Sequence, residues 1–433
     1  MPADFRIVGT SRRAVSDDDF RTHAHDVIAE FGRSEPAGTA WTDFSARLSY
    51  ASSDASDMSA LAAAVTAAET DMGGSVRRLH YLSIPPMAMD GIVSGLGSAG
   101  LADAATRVIL EKPFGTDVDS AEALDALLHT VFAEDQIFRI DHFLGKADVQ
   151  NILAVRFSNR LFEPVWCKEH VQNIQIDVPE TLGVENRARF YEETGAFRDM
   201  VVTHLFQALG FVAMEPPASF TAEALADAKQ AVFDALQPLD PSRVVRGQYD
   251  GYRDADGVAA DSDTETLVAV EAHIDNDRRD GVPIYLRTGK KMPAGRRVIT
   301  LTLERPPMEM FAEGAGTHPD ELVFEIGEPG SIRVTFQSKE PGPTMTLGEA
   351  HLDFVHKQSF DPRCELEAYE RLLHDAVLGD RTLFNRADGI ERLWEVAVPL
   401  LDSPRPVQPY APGTWGPAAV DDLIAPRGWY LPD

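Results

Sequence analysis

Between Arg139 and Lys146 the chain reads Arg-Ile-Asp-His-Phe-Leu-Gly-Lys, placing a carboxylate (Asp141), an imidazole (His142) and an ammonium (Lys146) around Gly145. His142 and Lys146 are two cationic or cationisable donors, a pair suited to a dianionic phosphate when a helix N-terminus lies behind them. Asp141 repels such a ligand. Its natural task is to orient and charge a histidine brought in from elsewhere, as a carboxylate does in His-based acid/base pairs. Taken alone, an Asp-His dipeptide also reads as an ion pair closing a turn. A second polar group, Asp199 and His204, lies further on. Five positions apart, these two fall somewhat off the shared face that a spacing of three or four gives on a helix. A helix histidine beside Leu205 also reads as a satisfied core residue.

The surrounding pattern positions these groups. Gln136-Ile137-Phe138 reads as a strand and Lys146 to Phe157 as a helix with Val149, Ile152, Leu153 and Phe157 apolar, so the polar cluster sits where a strand hands over to a helix. Upstream, Phe5 to Gly9 reads as a strand, followed by Arg12 and Arg13 and a helix capped by Ser16 with Asp17, Asp18 and Asp19 in its first turn. In a nucleotide-binding sheet, basic residues just after the second strand accommodate a 2′-phosphate. Met58 to Ala68 reads as a helix, Leu79 to Pro86 as a strand stopped by its prolines, and Arg107 to Leu110 as a strand leading to Glu111-Lys112-Pro113-Phe114-Gly115. Strands alternating with helices predict a parallel, doubly wound, Rossmann-like sheet, with ligands off the carboxyl ends of its strands, where Tyr81, Glu111, Lys112 and Pro113 fall. From Asn173 the texture changes. The alternation in Ile174-Gln175-Ile176-Asp177-Val178 predicts a half-buried antiparallel strand. Further strands are expected at 267–273, 298–303, 321–324 and 331–336, with helices at 365–376 and 386–401. The fold class is therefore α/β followed by α+β, with a large antiparallel sheet and helices, divided into 1–146 and 147–433.

Composition narrows the function classes. The 433 residues are 44% hydrophobic, and 69 acidic against 40 basic residues give a net charge of −29, which repels nucleic acid and anionic membranes. Cys167 and Cys364 are too few for a disulfide framework, no metal-ligand spacing is present, and no stretch approaches the roughly 18 apolar residues of a membrane span. A cytoplasmic protein that binds neither nucleic acid nor membrane is expected.

The Arg139–Lys146 string, continued through Val149 to Leu153 and Phe157 to Trp166, resembles the active-site signature of glucose-6-phosphate dehydrogenases, with Phe143 where the family has tyrosine. The segment from Arg189 to Leu205 is similar to the family's second signature, with Val202-Thr203 where the family has Gln-Asn. Pro283 to Lys290 and Tyr410 to Pro417 extend the likeness. The resemblance implies an NADP-dependent oxidation of D-glucose 6-phosphate at C1, the first step of the oxidative pentose phosphate pathway. It implies His204 as general base, Asp141 orienting it and Asp199 assisting. It places the 6-phosphate on His142 and Lys146, and the sugar on Lys112, Glu180 and Lys290, with Arg296 the nearest candidate for one more cation. For the cofactor it implies Arg12, Arg13, Tyr81, Glu111, Lys112 and Pro113, and for assembly a homodimer or homotetramer. The family's opening strand and Gly-rich turn have no counterpart ahead of Phe5, so the sheet is expected to begin at the second strand, with an exposed edge. The alternative expectation is a catalytically impaired relative that binds sugar phosphate in a regulatory or assembly role.

Overall fold

The structure, a computed structural model, describes residues 4–74, 76–308, 310–311, 319–327, 330–361 and 366–431. Cys364 lies outside the described residues. Two compact units emerge: the first comprises 1–111, 122–140 and 374–380, the second 112–121, 141–373 and 381–433.

Among the described residues the first unit carries five parallel strands in two pieces. Strand β1 (Ile7–Ser11) pairs with β2 (Leu48–Ser52), while β3 (Leu79–Leu82), β4 (Arg107–Leu110) and β5 (Ile137–Arg139) form a three-stranded sheet. Among the described residues β1 pairs only with β2, and β3 only with β4, so each keeps an open edge. The helix Asp17–Phe31 starts where expected: the Ser16 side chain accepts from Asp19 N–H at 3.1 Å, and three aspartates occupy the first turn, favourable against the helix dipole. Val108, Ile109 and Leu110 on β4 are fully buried, as suits the middle strand of a sheet covered on both faces.

Among the described residues the second unit is built on nine strands: β6 (Val171–Pro179), β7 (Val244–Tyr249), β8 (Leu267–Ala272), β9 (Ile284–Gly289), β10 (Val298–Leu303), β11 (Glu321–Glu325), β12 (Ser331–Lys339), β13 (Leu347–Val355) and β14 (Gln408–Tyr410). They run in the order β13-β12-β11-β10-β6-β9-β8-β7-β14. The sheet is mixed, because β6 runs parallel to β9 and β14 parallel to β7. This corrects the expectation of a half-buried antiparallel strand at 174–178. β6 is central, antiparallel to β10 on one side only, and buried along nearly its whole length. Its alternating polar residues face the C-terminal segment: Gln175 Nε2 donates to Gly428 O at 3.1 Å, and Tyr430 N–H donates to Gln175 Oε1 at 2.8 Å. Asp177 is paired with Arg287, whose guanidinium lies 4.2 Å from the Trp429 ring centroid and 4.6 Å from that of Trp415. Polar alternation here marks a face closed by hydrogen bonds and aromatic rings, not one turned to water.

Among the described residues, Lys229 is a buried ammonium with no ion pair. Lys229, on the helix Ala222–Ala235, is 7% exposed; its ammonium reaches Asn385 Oδ1 at 3.4 Å and lies 5.2 Å from the Phe211 ring centroid. Burial pushes its pKa down from 10.5 to about 8, the Asp141 carboxylate opposing the shift. Because the folded-state pKa is depressed, the penalty is fully present below about pH 8 and disappears as pH rises towards the unfolded value of roughly 10.4. Lys229→Met is therefore expected to stabilise the protein by about 1–3 kcal/mol at neutral pH. The gain should shrink towards pH ~10, as compared by urea unfolding at the two pH values.

Candidate functional site

Asp141 opens a tight turn in which Leu144 N–H donates to Asp141 O at 3.1 Å and Lys146 N–H to Phe143 O at 3.2 Å. Lys146, with φ −74° and ψ 132°, is the last extended residue before the helix Ala147–Ser158 and caps that helix's N-terminus. His204 arrives from the segment Phe197–Leu205, which winds as a π-helix rather than the α-helix expected. The difference is functional. In a π-helix the repeat links residues i and i+5, so Asp199 and His204 come one turn apart on one face, where an α-helical path would turn them away from each other.

His204 Nδ1 lies 2.7 Å from Asp141 Oδ1, which also accepts the Phe143 N–H at 2.9 Å. The two side chains are buried, at 1% and 2% exposure. Burial by itself would raise the Asp141 pKa, but the charge and hydrogen bond of His204 outweigh it and hold this carboxyl below the usual range. With Nδ1 committed as donor to an ionised carboxylate, Nε2 is the basic nitrogen, and it has no hydrogen-bond partner among the described residues. Phe143 packs against the imidazole with ring centroids 4.8 Å apart and an interplanar angle of 21°, and the Lys146 ammonium lies 4.9 Å from the Phe143 ring. The phenyl ring thus fixes the orientation of the imidazole, a role its position between two polar residues in the sequence does not suggest.

The residues expected to hold the phosphate differ from expectation in charge. Burial, together with the positive charge of neighbouring groups including Lys112 and Lys146, pushes the His142 pKa down to about 4, so this imidazole is neutral near pH 7. It packs edge-on to His204 at 4.8 Å and parallel to Tyr369 at 6.0 Å. Lys146 is shifted down by burial and then by the nearby Arg297. Arg297 was not singled out from sequence. Arg296, which was, turns the other way and pairs with Glu325 at 3.0 Å. Of these two neighbours, Arg297 is the one whose charge lowers the Lys146 pKa.

The remaining residues expected to meet the sugar are joined in pairs. Lys112 donates to Asp199 Oδ1 at 2.9 Å, holding that carboxyl below its usual range against the opposing effect of burial. Lys290 is paired with Glu180, its ammonium 5.4 Å from the Tyr191 ring centroid, and its carbonyl accepts from Tyr410 Oη at 2.7 Å. Asp141, His204, Asp199, Lys112, His142 and Lys146 thus belong to one linked group, and Glu180 with Lys290 to a second pair, all on the second unit.

In the first unit, Arg12 and Arg13 sit just past the carboxyl end of β1, exposed and in no ion pair among the described residues. Tyr81, at the corresponding part of β3, is hydrogen-bonded to Glu111. Pro113 follows Lys112 through a cis peptide bond. A further carboxylate and imidazole group, Asp125, His129 and Glu134, is occupied by ion pairs from Arg139. No described helix is long and apolar enough to cross a membrane.

The family model "Glucose-6-phosphate dehydrogenase, NAD binding domain" matches residues 1–151, and "Glucose-6-phosphate dehydrogenase, C-terminal domain" matches 153–430. The chain is 38% identical over 449 residues to glucose-6-phosphate 1-dehydrogenase of Rhizobium meliloti, covering 98% of this chain and 90% of the relative. It is 40% identical to glucose-6-phosphate 1-dehydrogenase 1 of Mycobacterium tuberculosis over 93% of this chain and 84% of the relative. The crystal structure of glucose-6-phosphate 1-dehydrogenase from Mycobacterium avium superposes with a TM-score of 0.90 at 38% identity, covering 99% of this chain and 92% of that one. A glucose-6-phosphate dehydrogenase in complex with its substrate glucose-6-phosphate gives the same TM-score of 0.90 at 31% identity, covering 99% of this chain and 91% of that one.

Proposed function

The chain belongs to the glucose-6-phosphate dehydrogenase family, and on that premise we propose the residues by which it oxidises D-glucose 6-phosphate at C1 to the 6-phosphogluconolactone. The observation that carries the assignment is the buried His204 imidazole, held through Nδ1 by Asp141 with Nε2 unpartnered. Nε2 takes the proton of the C1 hydroxyl, and the imidazolium formed is stabilised by the ionised Asp141. Asp199 is committed to Lys112, so it assists at one remove, by adding negative charge on the His204 face and by fixing the lysine that meets the sugar. Lys146 and Arg297 supply positive charge to the 6-phosphate, and neutral His142 serves it as a hydrogen-bond donor. Glu180 and Lys290 orient sugar hydroxyls.

NADP+, when bound, supplies the hydride acceptor. The first unit fits it: Arg12 and Arg13 present two exposed guanidiniums at a strand's carboxyl end, the donor chemistry a 2′-phosphate takes. Tyr81 and Glu111 complete the residues of this unit assigned to it. We assign nucleotide binding to 1–146, and substrate binding and subunit pairing to 147–433. We further propose a cytoplasmic homodimer or homotetramer joined through the β12–β13 end of the large sheet, where Leu352 is 63% exposed.

The test is reduction of NADP+ with glucose 6-phosphate beside glucose. Rapid reduction with the phosphorylated sugar alone is expected. Equal rates with both sugars would overturn the phosphate assignment, and no reduction with either would overturn the activity.

A further inference from the structure

A π-helix is rare and usually short, so a nine-residue run that carries the proposed base next to its last residue needs something outside the helix to hold its register. The sequence leading into it supplies a break. Gly195 sits at φ +63°, a conformation favouring glycine, and turns the chain from the helix Ala188–Ala196 into Phe197. Glu265 fills the space this leaves. A Cβ at position 195 would lie 2.4 Å from Glu265 Oε1. That oxygen accepts the Phe197 N–H at 3.0 Å, and the Glu265 carbonyl accepts the Ala196 N–H at 3.0 Å. Both N–H groups belong to the first turn, where a helix has no internal acceptors and a carboxylate also favours the dipole.

Glu265 is itself fixed. Its Oε2 accepts from Arg246 Nε at 3.1 Å and Nη2 at 2.8 Å, and Arg246 Nη1 is bonded to Asp263 Oδ2 at 3.1 Å. Glu265 and Arg246 are 6% and 8% exposed. Arg246 lies within β7, and Glu265 comes two residues before β8, so the clamp ties the helix start to the rigid sheet. A one-residue slip in helix register rotates later side chains by roughly 100°, enough to separate His204 from Asp141.

We infer that Glu265, gripped by Arg246 and seated against Gly195, is a positioning residue that locks the π-helical register delivering His204 to Asp141. The inference rests on His204 being the base. Three variants test it by two readouts: steady-state kinetics, and the downfield NMR signal of the His204 Nδ1 proton, assigned by its loss in His204→Asn. Glu265→Ala should lower kcat about 10²-fold while KM for glucose 6-phosphate changes less than about threefold, the scale expected for a small misplacement of a catalytic group. The Nδ1 signal should disappear with it. Glu265→Gln, which keeps an oxygen for the Phe197 N–H, should recover most of both, and Arg246→Lys should fall between. Wild-type kcat and an unchanged Nδ1 signal in Glu265→Ala would overturn the clamp. If that variant does not fold, a wild-type signal and rate in both milder variants would do so. Should the wild-type chain fail to reduce NADP+, the functional reading falls, and the proton signal still decides on the clamp.

Discussion

Replacing His204 with asparagine is expected to lower kcat for glucose 6-phosphate by about 10³-fold or more, within the range a positioned general base contributes. Asparagine keeps a polar side chain near Asp141 but offers no basic nitrogen where Nε2 stood. The effect belongs in kcat because, on the proposed assignment, the imidazole meets the reacting hydroxyl while separate groups, Lys146 and Arg297, hold the phosphate. KM should change little, provided chemistry limits turnover. Asp141→Asn should also be costly, since its Oδ1 accepts two hydrogen bonds in a buried site, from His204 Nδ1 at 2.7 Å and from Phe143 N–H at 2.9 Å. An amide placed there leaves the protonated imidazole without its counter-charge. Stopped-flow or steady-state rates for the two variants, with folding checked by circular dichroism, measure both effects.

Lys146→Ala is expected to raise KM for glucose 6-phosphate by about 10²-fold while leaving the feeble turnover of glucose unchanged. A hydrogen bond to a charged group is worth about 1.5–3 kcal/mol, and every 1.4 kcal/mol is tenfold in affinity. The upper end applies because Lys146 is half-buried at a helix N-terminus and His142, at a pKa of about 4, brings no formal charge of its own. The charge of Arg297, which already depresses Lys146, is relieved when a dianion sits between them. His142→Asn should therefore cost less than Lys146→Ala. The ratio of kcat/KM for the phosphorylated and free sugar reads both effects. A Lys146→Ala protein with an unchanged ratio would remove this residue from the phosphate site.

Much of this was legible along the chain because local pattern and local structure coincide. Arg107–Leu110 and Val298–Leu303 are strands over the bounds their apolar runs suggested. Asp141 and His204 each stood out by chemistry, although nothing in the spacing said that two residues 63 positions apart would close to a hydrogen bond. The misreadings arose where tertiary structure sets the answer. A spacing of five disqualifies a shared face only if the helix is α, and the π path of 197–205 depends on Glu265, distant in sequence. Asn173, Gln175 and Asp177 look solvent-facing until the segment 428–431 covers them. Arg296 and Arg297 are adjacent and identical, and only the fold decides whose charge lowers the Lys146 pKa. Phe143, readable as a lost hydroxyl, is in place the ring that packs on the His204 imidazole.

The most direct measurement is to follow C1-deuterated glucose 6-phosphate through a turnover with NADP+ and locate the label by mass spectrometry. The expected result is deuterium on the reduced nicotinamide, a lactone without it, and loss of that transfer in His204→Asn. Deuterium retained in the sugar or exchanged to solvent, or transfer undiminished without His204, would contradict the assignment of the buried Asp141–His204 pair as the base that releases a C1 hydride.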